Sequence, residues 1–168
     1  MSYRVEALGD DHDLDGFRCG QPSLDEWLCQ HARRATGQGI RTYVLIDESS
    51  RAIGGYFAVA PHLIEREEAP RRIGRGAPRR IPAILLAKLA LRQNLQGQGL
   101  GSELLVHALS TIVIAARSAG GRIVVVDAID ENAAGFYQKH DFQPLPTVPN
   151  RLVMKLSAAA RALELTWP

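Results

Sequence analysis

The chain has 168 residues, of which 46% are hydrophobic and 23% charged, and its net charge is +2. This is the length and balance of one soluble globular domain, able to bury roughly 70% of its unfolded surface. The longest apolar stretch, residues 85–91, is interrupted by Lys88 and too short to cross a membrane, and the acidic N-terminus lacks the apolar core of an export signal, so a cytoplasmic protein with no membrane association is expected.

In chain order, residues 3–8 read as a short strand and 11–20 as a loop. Ser23, with Glu26 three residues on, forms a capping box that opens a helix. Leu24, Trp27, Leu28 and His31 share one face of that helix, which fades at Thr36-Gly37. Cys19 and Cys29 are expected as reduced thiols, and no Cys/His cluster has zinc spacing, so no metal is expected. Residues 41–47 and 52–60 form a hairpin joined by Glu48-Ser49-Ser50-Arg51, with Gly54-Gly55 marking a bulge. Residues 64–81 hold six arginines, two prolines and two glycines and read as a long loop with one helical turn.

Residues 83–91 are apolar on both faces, as in a central strand. A helix over 98–119 follows, with Leu100, Leu104, Leu105, Ala108, Leu109, Ile112 and Ala116 at helical spacing, and Gly120-Gly121 ends it. Residues 122–127 are a strand, 131–140 a short helix capped by Asp130, and Phe142 begins a last strand region that continues into 151–156. The tail, residues 157–168, is compatible with a packed helix. The order gives a single domain over 1–168 with a mixed α/β sheet rather than a doubly wound parallel one.

The run Gln96-Gly97-Gln98-Gly99-Leu100-Gly101 stands between the apolar strand and the long helix. Strand, glycine turn and helix N-terminus together wrap main-chain N–H groups around a phosphate. The run is no P-loop, because no Gly-Lys-Ser/Thr follows, and its glycine spacing is not G-x-G-x-x-G. Two readings stay open: a phosphorylated ligand held by main chain from Gln96 to Ser102, and a flexible Gly/Gln turn before a helix.

Gln96-x-x-Gly99-x-Gly101 resembles the pyrophosphate motif of the GNAT acetyltransferases, which hold acetyl-coenzyme A. Asn132-x-Ala134-x-Phe136-Tyr137, followed by His140-Asp141-Phe142, resembles the segment after the family's fifth strand, which carries a tyrosine close to the thioester sulfur. The family usually has glycine where this chain has Asp141, a residue that tolerates positive φ at modest cost. A narrower resemblance covers nearly the whole chain: Phe17-x-Cys19-Gly20, Leu24-Asp25-x-Trp27-Leu28, Arg41-Thr42-Tyr43-Val44, Gly54-Gly55-Tyr56-Phe57, Ile81-Pro82-Ala83-x-Leu85-Leu86-Ala87-x-Leu89-Ala90 and Val126-Asp127-Ala128. It is similar to the GNAT toxins of bacterial toxin–antitoxin pairs, the TacT and AtaT type. That resemblance implies acetylation of the α-amine of aminoacyl-tRNA, arrest of translation, neutralisation by a ribbon-helix-helix antitoxin, and a homodimer.

It also implies roles. Main-chain groups of Leu89, Ala90 and Leu91 would pair with the pantetheine arm, and Gln96, Gly97, Gln98, Gly99, Leu100, Gly101 and Ser102 would hold the pyrophosphate. Tyr137 would protonate the leaving thiolate, since a phenol keeps its proton at neutral pH. Asn132 either bonds the cofactor or caps its helix. No general base stands out; His62, His107 and His140 qualify by type only, with His107 on a polar helix face and His140 at a helix end. An α-amine, with a pKa of roughly 7.7–8.0, is partly neutral without one.

Arg33, Arg34, Arg72, Arg75, Arg79 and Arg80 could grip the phosphates of an acceptor stem. The same arginines could instead pair with Glu65, Glu67 and Glu68 as a solvated loop, or receive an acidic antitoxin tail. An acetyltransferase of a small amine or protein N-terminus, and a catalytically inert binding module, are the competing functions.

Overall fold

A computed structural model describes residues 2–168. Seven strands form one mixed sheet in the order β1-β2-β3-β4-β5-β7-β6. The strands are β1 (Tyr3–Ala7), β2 (Arg41–Asp47), β3 (Ile53–Glu65), β4 (Arg80–Leu91), β5 (Ile123–Asp127), β6 (Gln143–Pro144) and β7 (Arg151–Lys155). Pairing of β4 with β5 is parallel, while β1–β2, β2–β3, β5–β7 and β6–β7 are antiparallel. The helices are α1 (Pro22–Glu26), α2 (Ala32–Thr36), α3 (Arg71–Gly74), α4 (Leu100–Ala119), α5 (Glu131–Lys139) and α6 (Leu156–Ala162).

The chain divides into two compact units. One comprises Met1–Ala60 with Ala87–Ala108, the other Pro61–Leu86 with Leu109–Pro168. The first has a core of Leu14, Phe17, Leu28, Val44, Ile46, Ile53, Tyr56 and their neighbours. The second is built on Ile64, Ile73, Ile81, Ile123, Val125, Leu145 and Val153. Helix α4 has the length and hydropathy of a membrane span. Its side chains Leu104, Leu105, Ala108, Leu109, Ile112, Val113 and Ala116 are nevertheless buried inside the protein, as in the core helix of a globular domain.

Several local expectations hold for the reasons given. Leu45 pairs with Gly55 and Ile46 with Ile53, so Gly54 is the extra residue of a bulge. A Cβ on Gly55 would stand 2.8 Å from Ala90 O, so only glycine lets β3 and β4 approach there. Asp130 caps α5, its Oδ1 accepting from Ala133 N–H at 2.8 Å. Asp141 has φ of 69°, taking the left-handed step that glycine usually supplies after a helix. The expected C-terminal helix is α6.

Other expectations are corrected. No side chain caps α1; Gln21 is its N-cap and Pro22 its first residue, so Ser23 and Glu26 form no capping box. A π-helical turn at Trp27–His31 follows, closed by Ala32 N–H to Trp27 O. It turns His31 outward and gives the buried positions to Leu28, Ala32 and Ala35. Helix α4 starts at Leu100 rather than residue 98. The long loop is shorter than expected, because β3 runs on to Glu65 and β4 begins at Arg80. Arg66 anchors what remains: its N–H bonds Arg79 O at 2.8 Å and its Nη1 bonds Ala77 O at 3.0 Å. Cys19 is buried and Cys29 exposed, and they are not joined, which agrees with the expectation of free thiols.

Candidate active site

The glycine turn lies in the first unit, between the end of β4 and the start of α4. Gly97 and Gly99 have φ of 80° and 85°, a region that L side chains rarely adopt. Nothing lies within 4 Å of where a Cβ would stand on either, so the turn has room for a ligand. Leu100, Gly101 and Ser102 form the first turn of α4, where amides precede any helical acceptor. The first bond back is from Glu103 N–H to Gly99 O at 3.3 Å.

The side chain of Gln96 has a different task from the one expected. Its Nε2 donates to Cys19 O at 2.7 Å and to Leu91 O at 2.9 Å. Both amide hydrogens are engaged, so Gln96 shapes the turn and offers no side-chain donor to a phosphate. Gln98 Nε2 reaches Asn94 O at 3.3 Å. Before the turn, Ala90 and Leu91 are buried and Leu89 half-buried, so only their backbone is available. The β4–β5 register runs from Ala83↔Ile123 to Leu86↔Val126, whereas β4 continues to Leu91. Residues 87–91 therefore lie past that register, where an extended ligand arm could add its own hydrogen bonds to the strand.

The second unit holds Tyr137. Its ring is 5% exposed, with centroids 5.5 Å from Phe142 and 5.3 Å from Phe136 in edge-to-face contacts. Burial alone pushes its phenol above the ordinary range, so the hydroxyl stays protonated throughout the physiological range. Asn132 is exposed at the second position of α5 and is not its cap, since Asp130 holds that place. His140 does end the helix, as expected, and packs 4.9 Å from Phe136. His107 is exposed on α4.

His62, on β3, is the histidine with an open requirement: its Nε2 is buried and has no hydrogen-bond partner among the described residues. Desolvation, and then the charge of Arg151, hold its pKa below the usual value, partly opposed by Asp127. Arg151 itself is gripped by Asp127 in a bidentate pair of 2.7 and 2.9 Å. No sequence pattern singles out His62, because the environment that sets it apart comes from the packing of distant segments.

The arginines divide. Arg33 is engaged by main chain, donating from Nη2 to Gly9 O at 3.2 Å and to His12 O at 2.5 Å, so it fastens the N-terminal loop. Arg80 pairs with Glu65 at 3.4 Å, as the solvated-loop reading anticipated. Arg34 is exposed on α2, and Arg72, Arg75 and Arg79 are exposed in the segment between β3 and β4. No hydrogen bond or ion pair engages the side chains of these four among the described residues.

Residues 38–144 match the family described as the acetyltransferase (GNAT) domain. A tRNA-acetylating toxin of Mycobacterium tuberculosis (strain ATCC 25618 / H37Rv) is 37% identical over 156 residues, spanning 93% of each chain. A solved structure of AtaT complexed with acetyl-methionyl-tRNAfMet superposes with a TM-score of 0.85 at 29% identity, covering 97% of this chain and 98% of that one. AtaT in a tyrosine-to-phenylalanine form, bound to acetyl-CoA and the C-terminus of its antitoxin AtaR, gives a TM-score of 0.81 at 29% identity, covering 95% and 97%.

Proposed function

Since the chain belongs to the GNAT acetyltransferases and is an acetyl-CoA-dependent N-acetyltransferase, we propose that it acetylates the α-amine of aminoacyl-tRNA and thereby blocks translation. The likeness to a tRNA-acetylating toxin along nearly the whole length of both chains carries this reading. The exposed, unengaged Arg34, Arg72, Arg75 and Arg79 supply cations for RNA phosphates. The partner of the toxin is an antitoxin of ribbon-helix-helix type, the active species is a homodimer of single-domain chains, and the pair works in the cytoplasm.

Acetyl-CoA, when bound, supplies the thioester-activated acetyl group. The amides of residues 97–102 would hold the pyrophosphate, helped by the α4 dipole. Backbone groups of Leu89, Ala90 and Leu91 would align the pantetheine arm. As the amine nitrogen bonds the acetyl carbon and the C–S bond breaks, Tyr137 Oη would give its proton to the sulfur. Burial keeps the hydroxyl protonated until then, and the proton shed by the nitrogen would restore the phenol. The attacking α-amine is neutral in a substantial fraction at physiological pH, so no dedicated base is required.

Incubation with labelled acetyl-CoA and a mixed pool of charged tRNA tests the assignment. Label is expected on the aminoacyl moiety. Turnover of acetyl-CoA with small amines or peptide N-termini, and none with any charged tRNA, would overturn it.

A further inference from the structure

Lys88 is the one charged residue in the apolar run 83–91. It is half-buried, and its Nζ stands 5.5 Å from the centroid of the Trp27 ring. The ring beneath it is fixed. Trp27 stacks on Tyr56 at 6.0 Å with planes 10° apart, and fully buried Tyr56 donates its hydroxyl to Leu24 O at 2.7 Å. No carboxylate pairs with Lys88 among the described residues. An aromatic face offsets only part of the desolvation of an ammonium, so this cation retains attraction for an anion.

Direction narrows the choice of anion. Trp27 packs against the cluster containing Tyr56 and Ala90, whereas a Cβ on Gly55 would meet Leu91 and Leu104. Lys88 thus points away from α4, while the backbone of the next three residues is the stretch assigned to the pantetheine arm. In an aminoacyl ester the amino acid has no free carboxylate. The negative charges nearest its α-amine are the phosphodiesters of the terminal nucleotides.

We propose that Lys88, its stem laid on Trp27, binds a phosphodiester at the 3′ end of the acceptor RNA. The inference rests on the tRNA reading above and adds to it a charge contact at the reacting end, separate from the arginines. Binding of intact tRNA and of tRNA trimmed of its 3′-terminal nucleotides would be compared for wild type, Lys88→Met and Lys88→Arg. Lys88→Met is expected to bind intact tRNA about tenfold more weakly, with the salt slope reduced by about one. Lys88→Arg should stay within about threefold of wild type. All three should bind trimmed tRNA alike, and unchanged heat on acetyl-CoA titration would show that the variants remain folded.

Equal affinity of Lys88→Met and wild type for intact tRNA would overturn the inference while leaving tRNA acetylation standing. An equal loss on trimmed tRNA would also overturn it, because the contact would then lie elsewhere on the RNA. Failure of wild type to acetylate any charged tRNA removes the premise itself. Should Lys88→Met not fold, Trp27 emission in a Trp167→Phe background decides: a change on adding the cytidine-cytidine-adenosine trinucleotide supports the contact, and no change refutes it.

Discussion

In the turn at residues 96–102 the groups proposed to hold a ligand belong to the main chain, whereas at Tyr137 the group proposed to act is one side chain. The turn is exposed and held by Gln96 from behind. Tyr137 is buried and held by aromatic neighbours. Under the proposed mechanism the two regions should therefore fail differently: backbone shape would govern binding in the first, and a single oxygen would govern chemistry in the second.

The sharpest separation is Tyr137→Phe, which removes that oxygen and keeps the ring. Turnover should fall by about a hundredfold or more, in line with loss of a general acid, with acetyl-CoA affinity unchanged by calorimetry. Near wild-type kcat would take Tyr137 out of the mechanism. The converse experiment is Gly99→Ala. With φ of 85° a Cβ introduces roughly 1–2 kcal/mol of strain, so acetyl-CoA should bind about tenfold more weakly, while single-turnover chemistry at saturation is retained. If kcat fell and affinity held, the division between the regions would collapse.

A smaller effect is expected away from both. Reversing Arg72 and Arg79 to glutamate should weaken tRNA binding several-fold and flatten its salt dependence, leaving acetyl-CoA binding alone. Filter binding across salt concentrations would read it, and an unchanged slope would release these arginines from the RNA footprint. The same reversal at Arg33 should instead lower the melting temperature, because that guanidinium fastens Gly9 and His12.

The smallest effect is electrostatic. Glu6, gripped first by Arg51, then by His12 and Arg4, has its carboxyl lowered from 4.5 to about 2. Its folded pKa lies below its unfolded one. The stabilisation is therefore complete above about pH 4.5 and lost as pH falls toward 2. Glu6→Gln should lower thermal stability slightly at pH 7 and flatten the acid limb, so that variant and wild type converge as pH nears 2. A steeper limb in the variant would contradict the assignment.

Much of this was legible in the chain because it was local. The bulge at Gly54, the cap at Asp130, the positive φ at Asp141 and the glycine turn each depend on a residue type and its immediate neighbours. What escaped was set by distant segments. Gln96 is one such case, since its acceptor Cys19 O lies far along the chain. Arg33, drawn to carbonyls of the N-terminal loop, is another, and so is the orphaned nitrogen of His62. The capping box failed for a different reason: Pro22 fixes the start of α1 one residue before Ser23, so the helix never needs the serine hydroxyl. Counting arginines likewise does not show which guanidiniums are engaged, since Arg33 is drawn to main-chain carbonyls and Arg80 to Glu65.

The two thiols differ as reagents. Burial and the neighbouring Asp25 push Cys19 up to about 11, so it is almost wholly protonated at neutral pH, while Cys29 sits exposed on the π-helical turn beside Trp27. A maleimide should consequently mark one position without any engineering. A dye placed there would sit two residues from the indole under Lys88, a built-in reporter for the arrival of a ligand on that face.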